Sequence, residues 1–154
     1  MTDYYLDSSA LVKRYVSEAG STWVSALFDP ALDNEVFIAA ITPVEITAAL
    51  TRRTRGGSMA PADATSACNL FRSDLRTSYQ IVELTDRLIT RAMRLAEAHA
   101  LRGYDAVQLA AALEVNALCV QNGLLPITFV SADNDLNAMA TREGLSVDNP
   151  NTHP

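Results

Sequence analysis

Short apolar runs that alternate with longer stretches of helical period constrain this chain more than any other feature. The runs are Tyr4 to Leu6, Val36 to Ile41 (VFIAAI), Gln80 to Leu84 (QIVEL) and Ile127 to Val130 (ITFV). Between them, helices are expected over Ser9 to Val16, Ser21 to Phe28, Pro43 to Arg55 with Gly56-Gly57 as its stop, and Pro61 to about Ser78. Further helices are expected over Asp86 to about Leu101, Gly103 to about Val120, and Asp133 to Gly144. Strands separated by helices call for right-handed crossovers and a parallel sheet covered on both faces. The expectation is therefore an α/β chain, a three-layer α/β/α domain over residues 1–145 with a central parallel sheet of four to five strands. Val147 would begin the fifth, an edge strand, within a tail over residues 146–154 whose DNPNTHP end is expected to fray.

A chain of 154 residues suits one such core. No apolar run reaches the roughly 20 residues needed to cross a bilayer, and the N-terminus lacks a basic segment followed by an apolar one, so a cytoplasmic protein without membrane contact is expected. Cys68 and Cys119 show no metal-ligand spacing and read as small core residues. A net charge of −6 argues against loose, charge-driven nucleic-acid binding over the whole surface, although it leaves room for a local basic patch. Eleven of the twelve cations are arginine, and Arg52, Arg53 and Arg55 fall together. Such a run is either a solvated helix face or a phosphate-contacting one.

In an open parallel sheet, ligands bind beyond the carboxyl ends of the strands. Four acids stand at such junctions: Asp7 after the first strand, Glu45 after the second, Asp105 at the start of the Ala-rich helix, and Asp133 after the fourth, with Asp135 beside it. Each has a plain structural explanation. Thr42-Pro43-Val44-Glu45 fits a capping box, Asp105 complements a helix dipole, and Asp133 and Asp7 are suitable N-caps. Their conjunction is harder to explain in this way, because four carboxylates sharing one cleft raise one another's pKa and oppose folding. A cation resolves the conflict. Oxygen-only ligands select a hard ion, Mg²⁺ or Mn²⁺, and carboxylate-held Mg²⁺ typically meets phosphates, which points to phosphoryl transfer or phosphodiester hydrolysis.

LDSSALVKRY, ITPVEITAALTRR, LRGYDAVQLAAAL and FVSADNDLNAMATREGL together resemble the four acidic blocks of PIN-domain ribonucleases, most closely the VapC-type toxins of bacterial toxin–antitoxin pairs. The resemblance runs from Tyr4 to about Leu145. It implies an endoribonuclease dependent on one or two Mg²⁺ or Mn²⁺ ions. Asp7 and Asp105 would be the firmest ligands, with Glu45 acting through a water and Asp133 completing the set; Asp135 is a second candidate for that place. It also implies a homodimer and a cognate antitoxin whose C-terminal segment lies along the cleft.

Around the acids, Ser8 and Ser131 are candidate hydroxyl donors, and Gln108, one turn after Asp105, is expected to reach the site edge. Lys13, Arg14, Arg52, Arg53 and Arg55 are candidates for guiding RNA to the cleft. His99, late in a helix, and His153, in the tail, are not expected to be catalytic. Trp23, Leu27 and Phe28 form apolar helix surface that serves either a core or an interface. Two rivals remain. A non-catalytic protein of the same fold would only bind RNA or a partner. A Mg²⁺-dependent phosphoacceptor domain needs paired acids at the first strand and a Lys after the last, and no Lys follows residue 13.

Overall fold

The computed structural model describes residues 1–154. Its strands are β1 (Asp3–Leu6), β2 (Glu35–Ala39), β3 (Gln80–Val82), β4 (Thr128–Val130) and β5 (Ser146–Asp148). All four neighbouring pairs are parallel, in the spatial order β3-β2-β1-β4-β5. The helices are α1 (Ser8–Leu11), α2 (Ser21–Ala26), α3 (Thr42–Arg55), α4 (Pro61–Asp74), α5 (Asp86–His99), α6 (Gly103–Gln121) and α7 (Asn134–Arg142). This is the three-layer α/β/α arrangement expected from the alternation of runs.

Strand periodicity divides the interior into two cores. Leu6, Val36, Ile38 and Val130 face α1 to α4, where Ile46, Leu50 and Phe71 are fully enclosed. Tyr5, Ala39 and Phe129 face α5, α6 and α7. Burying each large side chain contributes about 1.5–3 kcal/mol. Helix α6 buries Ala106, Ala110, Ala111 and Ala112, and these small residues let it lie close to α5 and the sheet. The chain proceeds outward from β1 to β2 and β3, then returns across the sheet through α5 and α6 to β4. Strand order therefore reverses beside β1, and a crevice opens at the carboxyl ends of β1 and β4.

Two local expectations are corrected. The helix expected over Ser9 to Val16 is only α1 followed by a 3₁₀ turn, Val12–Arg14, a tightening that turns Lys13 inward. The closing segment is docked rather than frayed. Beyond β5, which does form, Pro150–Thr152 makes a 3₁₀ turn with Pro150 buried. The His153 ring stacks on Trp23 with centroids 4.3 Å apart, and Nε2 contacts Asp148 Oδ1 at 2.8 Å. Leu27 is buried in the first core, and Phe28 lies under the Arg14 guanidinium, 3.8 Å from ring centroid to Cζ. Cys119 is buried and Cys68 half-buried.

Tail docking depends on Gly20. Its φ of +83° is left-handed, and a Cβ there would sit 2.4 Å from the Pro150 carbonyl oxygen. Gly20→Ala is expected to destabilise the protein by about 2 kcal/mol in urea unfolding, from backbone strain of about 1–2 kcal/mol plus partial displacement of the tail. Deleting residues 150–154 should reduce that cost to the strain alone; an unchanged cost in the shortened chain would show that the tail does not bear on Gly20.

Candidate active site

The crevice beside β1 is a cavity of about 440 Å³ into which Asp7, Glu45, Asp105 and Asp133 all project. Asp7 breaks the apolar run because the chain leaves the sheet there. Its Oδ1 accepts from the Ala10 amide at 3.0 Å, capping α1, and from Ser9 Oγ at 2.7 Å, while Oδ2 accepts from Ser131 Oγ at 2.7 Å. The same carboxylate is thus a helix cap and a cleft acid, two readings that the sequence left as alternatives. Asp7 is 4% exposed, and burial pushes its pKa up to about 6 against the opposing hydrogen bonds of Ser131, Ser9 and Ala10; the Asp105 charge adds to the rise.

Ser9 is a site residue that sequence reasoning missed in favour of Ser8. Its Oγ also accepts from the Ala132 amide at 2.9 Å, and Ser131 Oγ accepts from the Asp133 amide at 3.1 Å, so the two hydroxyls stitch the end of β1 to the loop after β4. Ser8 has a lesser part, a 3.3 Å contact from Gln108 Nε2.

Glu45 is not part of a capping box. Helix α3 has no side-chain cap, and Thr42 Oγ1 instead accepts from Gln108 Nε2 at 3.0 Å. Gln108 is 2% exposed and forms the hub beneath the acids: Nε2 also donates to Glu45 Oε1 at 2.7 Å, and Oε1 accepts from the Tyr5 hydroxyl at 2.7 Å. A carboxylate only accepts, so the amide nitrogen must face Glu45. Tyr5 is enclosed, and burial, then the Asp7 and Glu45 charges, hold its phenol well above the usual range. It serves as a neutral donor.

Asp105, in the first turn of α6, has its pKa raised by burial and by the Asp133 and Glu45 charges, against the pull of Arg102. Asp133 caps α7, with Oδ1 accepting from the Asp135 and Leu136 amides at 2.9 and 3.1 Å. Asp135 is exposed and does not line the cleft.

The cations divide differently from expectation. Arg52 and Arg53 line the cleft from the last turns of α3, whereas Arg55 does not. Arg14 is turned away, donating to the Tyr79 hydroxyl at 3.0 Å and lying 3.6 Å from Asp74. Lys13 reaches the cleft wall but is 5% exposed, its Nζ held by Glu18 Oε1 at 3.1 Å and the Ala19 carbonyl at 2.9 Å. Arg102 and Tyr104 form the opposite rim, with Arg102 Nη1 donating to the Tyr104 hydroxyl at 3.3 Å. Neither stood out in the sequence, although both sit within three residues of Asp105.

The arrangement is an acidic floor under a partly cationic rim. Its donors are carboxylate oxygens, with no His or Cys in the lining, a set suited to a hard divalent ion. No three acids converge on one point, Asp7, Glu45 and Asp133 each being held by hydrogen bonds of its own. That spacing fits an ion held partly through water, the usual manner of Mg²⁺.

Comparison with known proteins adds four findings. The family model described as PIN domain matches residues 4–141. Ribonuclease VapC45 of Mycobacterium tuberculosis (strain CDC 1551 / Oshkosh) is 37% identical over 111 residues, 72% of this chain and 75% of that protein. Among solved structures, Mycobacterium tuberculosis VapC20, described as a sarcin-ricin loop cleaving toxin, aligns with TM-score 0.61 at 17% identity, covering 98% of this chain and 99% of that one. VapBC2 from Rickettsia felis, bound to a DNA fragment from its promoter, aligns with TM-score 0.61 at 15% identity, covering 96% and 98%.

Proposed function

This chain belongs to the PIN-domain family, and from that premise we propose that it is a VapC-type endoribonuclease, the toxin of a toxin–antitoxin pair, working with Mg²⁺ or Mn²⁺. The observation that carries the proposal is the meeting of Asp7, Glu45, Asp105 and Asp133 in one crevice at the strand-order reversal of a family fold. Asp7 and Asp105, both with raised pKa, would hold the ion directly, Glu45 would act through a water, and Asp133 would complete the set with the oxygen its cap leaves free. A divalent ion bound there would supply an acidified water and neutralise charge on the scissile phosphate.

The protein's own groups do the rest. Ser9, Ser131 and the Ala10 amide hold the Asp7 carboxylate in one orientation before substrate arrives, and Gln108 does the same for Glu45. Arg52 and Arg53 attract the phosphate backbone from one rim. Arg102 adds a cation on the other, and Tyr104, half-exposed, presents an aromatic face of the kind on which unpaired bases stack. The toxin–antitoxin complexes among the structural neighbours support an antitoxin partner for this chain too, and we propose a homodimer beside it. No helix is long and apolar enough to cross a membrane, and we place the protein in the cytoplasm with its RNA.

The test is incubation of the purified chain with RNA, with and without Mn²⁺, followed by sequencing of the new ends. Metal-dependent internal cuts are expected, and their absence under all metals would overturn the proposal. Metal binding also has a readout independent of turnover. Mg²⁺ or Mn²⁺ at ten to a hundred times its dissociation constant should stabilise the folded chain by about 1–3 kcal/mol in thermal unfolding. No shift at millimolar ion would remove the metal from the scheme.

A further inference from the structure

Glu18 bridges two cations with one oxygen each. Oε1 takes Lys13 Nζ at 3.1 Å and Oε2 takes Arg53 Nη2 at 3.2 Å. The bridge also has a topographic role. Glu18 and Arg53 both line the acidic cleft, and both line a second cavity of about 730 Å³ reached from the other side by Arg14, Tyr15, Met59 and Asp63. The two side chains are the wall between the cavities.

That wall is weak on the Arg53 side. Lys13 is almost enclosed and keeps the Ala19 carbonyl as a second partner, but the Arg53 and Glu18 side chains are 29% and 35% exposed and meet through one nitrogen. An exposed ion pair of this kind contributes at most about fivefold to an equilibrium. A phosphate offers arginine a bidentate, charge-assisted pair, roughly twice as strong as a neutral hydrogen bond. With Glu18 Oε2 drawn off Arg53 and Oε1 kept on Lys13, the second cavity would carry a free Arg53 beside Asp63, Arg14 staying with Asp74.

We infer that the Glu18–Arg53 pair is a displaceable partition, and that single-stranded RNA longer than the acidic cleft occupies both cavities by exchanging Glu18 for a backbone phosphate on Arg53. The inference rests on the ribonuclease reading of the cleft. It assigns a phosphate subsite and makes substrate length a determinant of affinity.

Glu18→Gln separates the two contacts, because the amide keeps an acceptor oxygen for Lys13 while its NH₂ cannot hold a guanidinium. Binding is read by fluorescence anisotropy with Mg²⁺ in an Asp7→Asn background, using a labelled trimer and a labelled dodecamer of unstructured RNA. Glu18→Gln should tighten dodecamer binding up to about fivefold, the equivalent of the pair it removes, and leave the trimer unchanged. Arg53→Ala should weaken dodecamer binding by a larger factor than trimer binding, because it removes the subsite as well as a cation of the cleft rim. The salt slope for the dodecamer should flatten by about 0.7 in Arg53→Ala, since one phosphate contact is lost. Equal effects on both lengths would make Glu18 a general repellent and overturn the partition, as would no effect on either. RNA that binds neither variant nor parent at any length would defeat the ribonuclease reading itself, and the partition with it.

Discussion

Asp7→Asn should reduce metal-dependent RNA cleavage by about 10²–10⁴-fold, the rate equivalent of several kcal/mol of transition-state stabilisation, while making the metal-free protein more stable at pH 7. The fold should survive. Asparagine caps helices as well as aspartate does, and its Oδ1 can still accept from the Ala10 amide and Ser9 Oγ. Its NH₂ would meet Ser131 Oγ, which can rotate to accept. What disappears is a buried charge. An acid whose pKa is raised on folding, here from 3.8 to about 6, holds its proton more tightly in the folded chain. Its contribution is most favourable below the unfolded value, is lost as pH rises from about 4 to 6, and stays lost above that range. A shift of about two pKa units corresponds to about 3 kcal/mol. The difference in unfolding free energy between Asp7→Asn and the parent should therefore grow from near zero at pH 4 to about 3 kcal/mol in the variant's favour at pH 7, measured in urea without metal. A difference that does not vary with pH would mean that Asp7 carries no buried charge in the folded state, and full activity in the variant would remove it from the site.

What the sequence revealed and what it hid follow from the range of the forces involved. The strands were legible because apolar runs of the right length are local, and the acids because each interrupts or follows such a run. Asp7, Glu45, Asp105 and Asp133 could be assigned to one edge without coordinates, since a parallel sheet places all carboxyl ends together. The partners that orient them are distant in sequence. Gln108 meets Tyr5 across 103 positions, and Ser131 meets Asp7 across 124. Thr42 is a good local cap, yet its hydroxyl is taken by Gln108, so a tertiary bond overrode a local preference. Lys13 and Arg14 are neighbours in sequence and unlike in role. The 3₁₀ turn sends one to the cleft wall and the other over Phe28, a divergence that depends on what each finds to pack against. The tail read as polar and terminal, and it docks only because Gly20 leaves room for Pro150 and Trp23 offers a ring to His153.

Gln108→Leu should lower cleavage about 10–100-fold and cost about 3 kcal/mol of stability, and the two losses should be separable. The leucine fills similar volume but leaves the enclosed Tyr5 hydroxyl and Thr42 Oγ1 without their partner, at about 1–3 kcal/mol for each buried group orphaned. It also frees the Glu45 carboxylate, which loses its 2.7 Å donor and can swing away from the floor of the cleft. Adding Tyr5→Phe removes one of the orphans. Deleting both members of a buried hydrogen bond is far less costly than deleting one, so the double variant should regain about 1–2 kcal/mol relative to Gln108→Leu. Tyr5→Phe alone should destabilise, by stranding Gln108 Oε1. The resulting double-mutant coupling measures the Tyr5–Gln108 bond. Activity should not follow stability back, because Glu45 remains unheld, and the deficit should lie in kcat with KM for RNA little changed. If cleavage recovered together with stability, Gln108 would be a packing residue of the sheet edge, and Glu45 would owe its orientation to something other than the amide beneath it.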